Sequence, residues 1–158
     1  MVNSITIRKG KKTDLPAVLK LIQELALYEK APEEVTNTVE SMERDGFGDN
    51  PVFRLLVADD HGDVVGMAIY FIKYSTWKGK GIYLDDIVVN ENFRGKGIGK
   101  LLLEAVISDS KTVGAKQIHW QVLDWNESAI GFYKKYNASF DNEWINCKLT
   151  ESQILKFQ

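Results

Sequence analysis

The chain has 158 residues, of which 44% are apolar and 27% are charged, and its formal net charge at pH 7 is -2. A chain of this length is expected to fold as one domain, residues 1–158, around a single core. The composition excludes disordered and fibrous proteins. The small negative net charge gives no reason to expect nucleic acid as a partner.

Cysteine and histidine are scarce. The single cysteine, Cys147, excludes an intramolecular disulfide and a cysteine-based zinc site. Its place in the strand-like run WINCKLT favours a buried structural thiol over a catalytic one. His61 and His119 are too few and too separated for a histidine-rich site, so we expect no metal.

Membrane insertion and export are not indicated. No apolar run reaches the roughly 18 residues that a membrane span needs, and the N-terminus lacks the apolar region of a signal peptide. We therefore expect a cytoplasmic protein that has no membrane partner.

The first third of the chain predicts one strand and two helices. SITIRK (4–9) alternates as a strand does, and Thr13-Asp14-Leu15-Pro16 marks a helix start with a capping side chain and an early proline. Apolar residues then repeat at helical spacing until the helix ends near Glu29. A second, more polar helix is predicted from Thr36 to Arg44.

The middle of the chain predicts an antiparallel meander. Three strand-like runs, FRLLVA (53–58), VVGMAIYFIKY (64–74) and IYLDDIVV (82–89), are separated by the turn sequences DHGD and STWKGKG.

The last third returns to alternating elements. A helix over LLLEAVISDSKTVG (101–114) ends at Gly114, KQIHWQVL (116–123) is a strand, and Asn126 caps a helix through ESAIGFYKKY. ASF (138–140) and EWINCKL (143–149) are predicted as two short closing strands. The predicted order is β-α-α-β-β-β-α-β-α-β-β, a mixed α/β domain.

The run NFRGKGIGK (92–100) joins the meander to the next helix and carries three glycines and three cations. A nucleotide P-loop fails because no Ser or Thr follows to hold magnesium, and the glycine spacing does not fit a dinucleotide fingerprint. The pattern Arg-x-x-Gly-x-Gly remains. Its glycines let backbone N–H groups approach a pyrophosphate at a helix N-terminus, and coenzyme A is the natural ligand. The alternative is a solvated basic turn.

Arg94-x-x-Gly97-x-Gly99 after IYLDDIVV, with WNESAIGFY (125–133) downstream, resembles the GNAT superfamily of acetyl-CoA-dependent N-acetyltransferases. Within it, KLIQELALYEK resembles the diamine (spermidine/spermine) acetyltransferases. DGFGDNP, YSTWKGK, IYLDDI and VLDWN resemble most closely their thialysine Nε-acetyltransferase branch. The similarity runs from about Ile5 to Cys147. It implies the GNAT fold, a mainly antiparallel central sheet with helices on both faces, and a homodimer.

The resemblance also implies contacts with acetyl-CoA as co-substrate. Backbone groups that pair with the pantetheine arm are expected at Ile87, Val88 and Val89. The pyrophosphate is expected at Arg94, Gly95, Lys96, Gly97, Ile98, Gly99 and Lys100. The segment beside the cofactor is expected at Asn126, Glu127, Ser128 and Ala129. Without the resemblance, residues 87–89 predict only a buried strand, and Asn126 predicts only a helix cap.

Two catalytic residues follow from the same resemblance. Tyr133 matches the general acid near the cofactor sulfur, since a thiolate leaving group benefits from a proton. Asp85 matches the acid that holds the substrate amine and assists its deprotonation. The family usually has glutamate there, and aspartate is about 1.5 Å shorter. Either a water fills this gap or the substrate sits differently, and whether Asp85 acts as the base directly or through water is left open. Asp86 is predicted on the opposite strand face.

The substrate cleft is expected beside the end of the first helix. Tyr28 and Glu29 match a pair that borders this cleft in the family, and Glu143 lies near a substrate-binding glutamate. Glu33 and Glu34 either extend an acidic rim or are solvated helix-end charges.

These residues predict an N-acetyltransferase that moves acetyl from acetyl-CoA to a primary amine on a small cation, a thialysine-like or lysine-like amino acid, a diamine or a polyamine. The attack is expected to be direct, in a ternary complex. Two alternatives stay open: acetylation of a protein or peptide amine, and a non-catalytic sensor that binds acyl-CoA.

Overall fold

The protein is described by a computed structural model over residues 5–157. These residues pack as two compact units, one that runs to Gln121 and one that begins at Val122. The single domain expected over 1–158 stays a prediction. Ser4, the first residue of the predicted first strand, lies outside the described residues.

The first unit is built on a five-stranded sheet in the order β1-β2-β3-β4-β5. Neighbours from β1 to β4 are antiparallel, and β5 joins β4 in parallel. The strands are β1 (Ile5–Lys9), β2 (Arg54–Asp60), β3 (Asp63–Ser75), β4 (Gly79–Val89) and β5 (Ile118–His119). The helices are α1 (Leu15–Tyr28), α2 (Val39–Phe47) and α3 (Ile98–Thr112). The mixed α/β class and the meander are confirmed.

Helices cover both faces of this sheet. On one face, which we call the α1 face, α1 and α2 bury a core formed by Leu15, Val18, Leu21, Met42, Leu55, Val57, Met67 and Val88. On the opposite face α3 approaches β3 so closely that a Cβ on Gly66 would lie 3.3 Å from Leu102 Cδ1. Met67 and Gly66 are consecutive strand residues, so they point to opposite faces.

The start of α1 is held by a buried carboxylate. Asp14 is 7% exposed, and the Arg8 guanidinium of β1 donates to both of its oxygens, at 2.7 and 2.9 Å. Arg8 also donates to Asp59 of β2 at 2.8 Å. This pairing holds the pKa of Asp14 below its ordinary value. The predicted position of the helix start and its early proline are confirmed, but the Asp14 side chain makes no capping hydrogen bond to α1. Its carboxylate pairs with Arg8 instead and so ties β1 and β2 to the helix.

Helix α2 begins and ends later than the sequence predicted. The Thr38 hydroxyl accepts a hydrogen bond from the Ser41 backbone N–H at 3.2 Å, which makes Thr38 the capping residue. The helix therefore begins at Val39 and not at Thr36, because the satisfied cap lies three residues further along.

The second unit contains α4 (Glu127–Lys134) and α5 (Glu151–Leu155). The two predicted closing strands are wrong: within residues 122–157 neither 138–140 nor 143–149 forms a strand. An alternating sequence forms a strand only where another strand pairs with it, and here Trp144 and Ile145 are 75% and 88% exposed. Cys147 is exposed, so the expected buried thiol is wrong for the same reason.

Helix α5 was not predicted, although its signal is in the sequence. Thr150 and Gln153 form a capping box, in which the Thr150 hydroxyl accepts from the Gln153 N–H at 3.3 Å and Gln153 Oε1 accepts from the Thr150 N–H at 2.8 Å. None of the helices described between residues 5 and 157 is long and apolar enough to cross a membrane.

Candidate active site

Strand β4 contains a β-bulge at Asp85. Ile69 of β3 pairs with Asp86, and the next residue, Tyr70, pairs with Leu84, so Asp85 is an extra residue without a partner in the ladder. Tyr83 is paired with Phe71, which lies on the same face of β3 as Ile69. Tyr83 and Asp86 therefore share the α1 face. The bulge breaks the regular alternation on which the predicted opposite faces of Asp85 and Asp86 relied, so that prediction stays untested.

Three carboxylates come together beside this bulge, and we call them the acid trio: Glu29 at the end of α1, Asp85 and Asp86. Burial raises the pKa of Asp86 to about 6, and the charges of Asp85 and Glu29 add to this rise. Partial removal from solvent raises the pKa of Glu29 and that of Asp85, although Asp85 lies at an exposed position. Among the described residues, none of the three forms a salt bridge. The trio is a site of negative charge suited to a cation.

The edge of β4 beyond the bulge is open. β4 pairs with β5 only at Ile82 and Tyr83, whereas it pairs with β3 along almost its full length. From Leu84 to Val89 this edge has no strand partner among residues 5–157. Unpaired backbone groups at a strand edge can bind an extended ligand that carries amides. The predicted pantetheine-pairing residues, Ile87, Val88 and Val89, lie on this segment.

The glycine-rich run forms the turn that leads into α3. Gly95 and Gly97 have φ of +74° and +80°, in the left-handed region that glycine adopts without strain. Gly97 is the N-cap residue, and Ile98 begins the 15-residue helix. Ile98 is buried, so only its backbone can face a ligand. The N–H groups at the helix start, the helix dipole and the cations at 94, 96 and 100 make this turn suited to an anion.

The first two cations of this turn, Arg94 and Lys96, lie over aromatic rings. Lys96 Nζ is 4.6 Å from the ring centroid of Phe93, and Arg94 Cζ is 5.4 Å from that of Tyr28. Tyr28 is half-exposed at the end of α1. The helix end that was predicted to border the substrate thus contacts the predicted cofactor loop. No pattern in the sequence signals this contact, since it joins residues far apart in the chain.

The remaining predicted residues lie in the second unit. Asn126 Oδ1 accepts from the Ala129 N–H at 3.2 Å, so Asn126 caps α4 as predicted, and Glu127 and Ser128 form its exposed first turn. Tyr133 is 6% exposed within α4. Glu143 is exposed, and its backbone N–H donates to Asp141. The catalytic, cofactor and substrate roles of these residues stay predictions.

Comparison with known proteins identifies the family of this chain. The family model described as Acetyltransferase (GNAT) family matches residues 16–138. The chain belongs to the GNAT family of acetyltransferases. This GNAT acetyltransferase is 39% identical, over 85% of its length and 84% of the relative's, to a thialysine N-epsilon-acetyltransferase of Sus scrofa.

Two further comparisons extend this picture. The acetyltransferase is 32% identical to a spermidine/spermine N(1)-acetyltransferase-like protein of Homo sapiens, over 94% of this chain and 23% of the relative's length. An integron cassette protein of V. cholerae has the same fold, with a TM-score of 0.77, 23% identity and coverage of 97% of this chain and 96% of the other.

The acid trio makes a prediction about stability and pH. The folded state raises the pKa of Asp86 to about 6, so it disfavours the ionised carboxylate. The stability that protonation provides is present at low pH and is lost as the pH rises through about 6. Asp86→Asn, which is always neutral, is expected to raise the free energy of unfolding by roughly 1–3 kcal/mol at pH 7.5, with a smaller gain toward pH 4.

Urea unfolding of both proteins across pH 4 to 8 measures this difference. Asp63→Asn, at an exposed position on the same sheet, is the matched control and is expected to show no such pH-dependent gain. If the difference in the free energy of unfolding between Asp86→Asn and the unsubstituted protein is the same at every pH, the folded state does not raise the pKa of Asp86.

Proposed function

We propose that this protein transfers acetyl from acetyl-CoA to a primary amine of a small cationic substrate. The observation that carries the proposal is the position of the acid trio, which lies at the bulge where the open edge of β4 begins. The negatively charged acid trio, which would bind the amine, therefore lies next to the open strand edge, which would bind the acetyl donor. Membership of the acetyltransferase family supports the reaction class.

The glycine turn supports acetyl-CoA as the donor. Its pyrophosphate needs an anion site, and its pantetheine arm needs extended backbone partners. The turn that runs from Arg94 to Lys100 provides the first, with positive φ at Gly95 and Gly97, and residues 87–89 provide the second. The thioester of acetyl-CoA supplies an activated acyl group that a neutral amine can accept.

The acid trio supports a cationic amine as the acceptor. A lysine-like ammonium with a pKa of about 10.4 is neutral only about once in 10³ at pH 7, which costs roughly 4 kcal/mol. Carboxylates first attract the cation. Asp85 then accepts its proton, directly or through one water molecule, because a carboxylate whose pKa is raised toward neutrality is a better general base.

Tyr133 is proposed as the general acid. The amine nitrogen forms a bond to the acetyl carbon as the carbon–sulfur bond breaks, and the phenol gives its proton to the departing sulfur. The nitrogen loses two protons through Asp85 to solvent, and the Tyr133 phenolate takes one proton back from solvent, so that one proton is released for each acetyl group transferred. Attack is direct in a ternary complex, since no nucleophilic side chain is required to carry the acetyl group.

The names of the relatives narrow the choice of amine substrate. One is named for thialysine and another for spermidine and spermine, which are small molecules with amines that ionise at neutral pH. We therefore propose a lysine-like amino acid or a diamine as the substrate, with longer polyamines next. Tyr28, Glu29 and Glu143 are the residues proposed to border it.

We also propose a cytoplasmic homodimer. Large apolar side chains are exposed near the end of the second unit, where Trp144, Ile145 and Leu149 are 75%, 88% and 65% exposed. A second copy that covers them would remove this apolar surface from water. Light scattering is expected to give twice the mass of one chain, and a single-chain mass at micromolar concentration would contradict the dimer.

The proposed reaction is tested by CoA release from acetyl-CoA with a panel of amines: thialysine, lysine, ornithine, putrescine, spermidine and a peptide that contains one lysine. Turnover with at least one small cation and none with the peptide is the expected result. Peptide turnover without small-molecule turnover would move the assignment to a protein acetyltransferase. Acetyl-CoA binding without any turnover would favour a sensor.

Two variants in the same assay separate the proposed roles. Tyr133→Phe and Asp85→Asn are each expected to lower kcat by about 10²-fold or more, because each removes one proton-transfer group. Only Asp85→Asn is expected to weaken the binding of the amine as well. Asp63→Asn, a charge change at an exposed position of β3, is the control. Normal turnover by Tyr133→Phe would refute its role as proton donor.

A further inference from the structure

We propose that Tyr28 is a positioning residue for acetyl-CoA, through its contact with Arg94, rather than only a residue that borders the amine. The inference rests on the proposed function, since it assumes that the turn after β4 binds the pyrophosphate of CoA. It differs from the expectation for Tyr28 drawn from the sequence, which placed this side chain on the substrate side.

Helix α1 contacts the connection between β4 and α3 at two points. Glu24 accepts hydrogen bonds from the Asn90 side-chain amide, at 3.0 Å to Oε2 and 3.3 Å to Oε1. The Tyr28 ring lies against the Arg94 guanidinium, with 5.4 Å between Cζ and the ring centroid. Glu24 and Tyr28 are four residues apart and therefore lie on the same face of the helix.

The two contacted residues lie at either end of a single short turn. Asn90 and Arg94 flank the 3-10 turn Glu91–Phe93, and Asn90 is also fixed to the sheet, since its N–H donates to the Val65 carbonyl at 2.9 Å. Helix α1 therefore holds the entry of this turn through Asn90 and its exit through Arg94. The exit is where the anion-binding backbone of Gly95 to Gly99 begins.

The contacts leave Arg94 equipped to bind phosphate. Among the hydrogen bonds of the described residues, its side chain uses Nε, which donates to the Val89 carbonyl at 3.0 Å. A guanidinium has five N–H donors, so the two Nη groups remain for a bidentate contact with a phosphate. The Val89 carbonyl fixes one edge of the guanidinium and the Tyr28 ring covers one face, which reduces the rotamer freedom lost when the ligand binds.

The contact between ring and cation requires an aromatic face and not a hydroxyl. Tyr28→Leu is therefore expected to weaken CoA binding, whereas Tyr28→Phe keeps it. The contact is already present before CoA binds, so it lowers the Kd by holding one rotamer-rich side chain in place in advance, which corresponds to about a three- to tenfold change in Kd. Since binding of CoA is measured without any amine, the readout does not depend on which substrate the enzyme acetylates.

The experiment is a double-mutant cycle on the Kd of CoA, measured by titration calorimetry. Tyr28→Leu is expected to raise the Kd about three- to tenfold, and Tyr28→Phe to stay within about twofold of the unsubstituted protein. In the Arg94→Ala background, Tyr28→Leu is expected to add nothing, because the partner through which it acts is gone. Tyr74→Leu, another exposed tyrosine of the first unit, is the matched control and is expected to leave the Kd unchanged.

Circular dichroism and thermal melts show whether each variant is folded, and Tyr28→Gln provides a second ring-free variant. An unchanged Kd in Tyr28→Leu, or a full additional loss in the Arg94→Ala background, would overturn the inference and leave the proposed function intact. Failure of the unsubstituted protein to bind CoA would overturn both, and this is seen before any variant is compared.

Discussion

The β-bulge at Asp85 is the feature on which the candidate site depends. One extra residue in β4 changes which side chains reach the α1 face, so that Asp86 joins Tyr83 there and the charges of both aspartates act on the same region. Among residues 5–157, β4 pairs with β5 only before the bulge, at Ile82 and Tyr83. A single irregularity in the ladder thus accompanies both the concentration of negative charge and the open strand edge.

A short stretch of chain carries a negatively charged group of residues and a positively charged one. Residues 85 and 86 carry carboxylates that form no salt bridge among the described residues. Residues 94 to 100 carry three cations at a helix N-terminus. The proposed reaction needs this separation, because a cationic amine and an anionic acetyl donor must each be attracted and then be brought together. Helix α1 contributes to both ends: Glu29 belongs to the acid trio, and Tyr28 contacts Arg94.

Much of the fold could be predicted because its signals are local. Alternation predicted the meander, the glycine pattern predicted the turn before α3, and Asn126 was identified as a cap. The bulge could not be predicted, since it is defined by how β3 and β4 pair and not by either sequence. The segment EWINCKL was predicted as a strand from its alternation, but alternation cannot supply the pairing partner that a strand requires, and Cys147 is exposed as a result.

We propose that the edge of β4 and the glycine turn bind one molecule of CoA together. Amide hydrogen exchange, followed residue by residue with and without saturating CoA, tests it most directly. We expect exchange to slow by about tenfold or more at amides in 87–89 and in 95–99, because hydrogen-bonded amides exchange only when the structure opens, while α2 stays unchanged. CoA that binds without protecting either segment would contradict the claim.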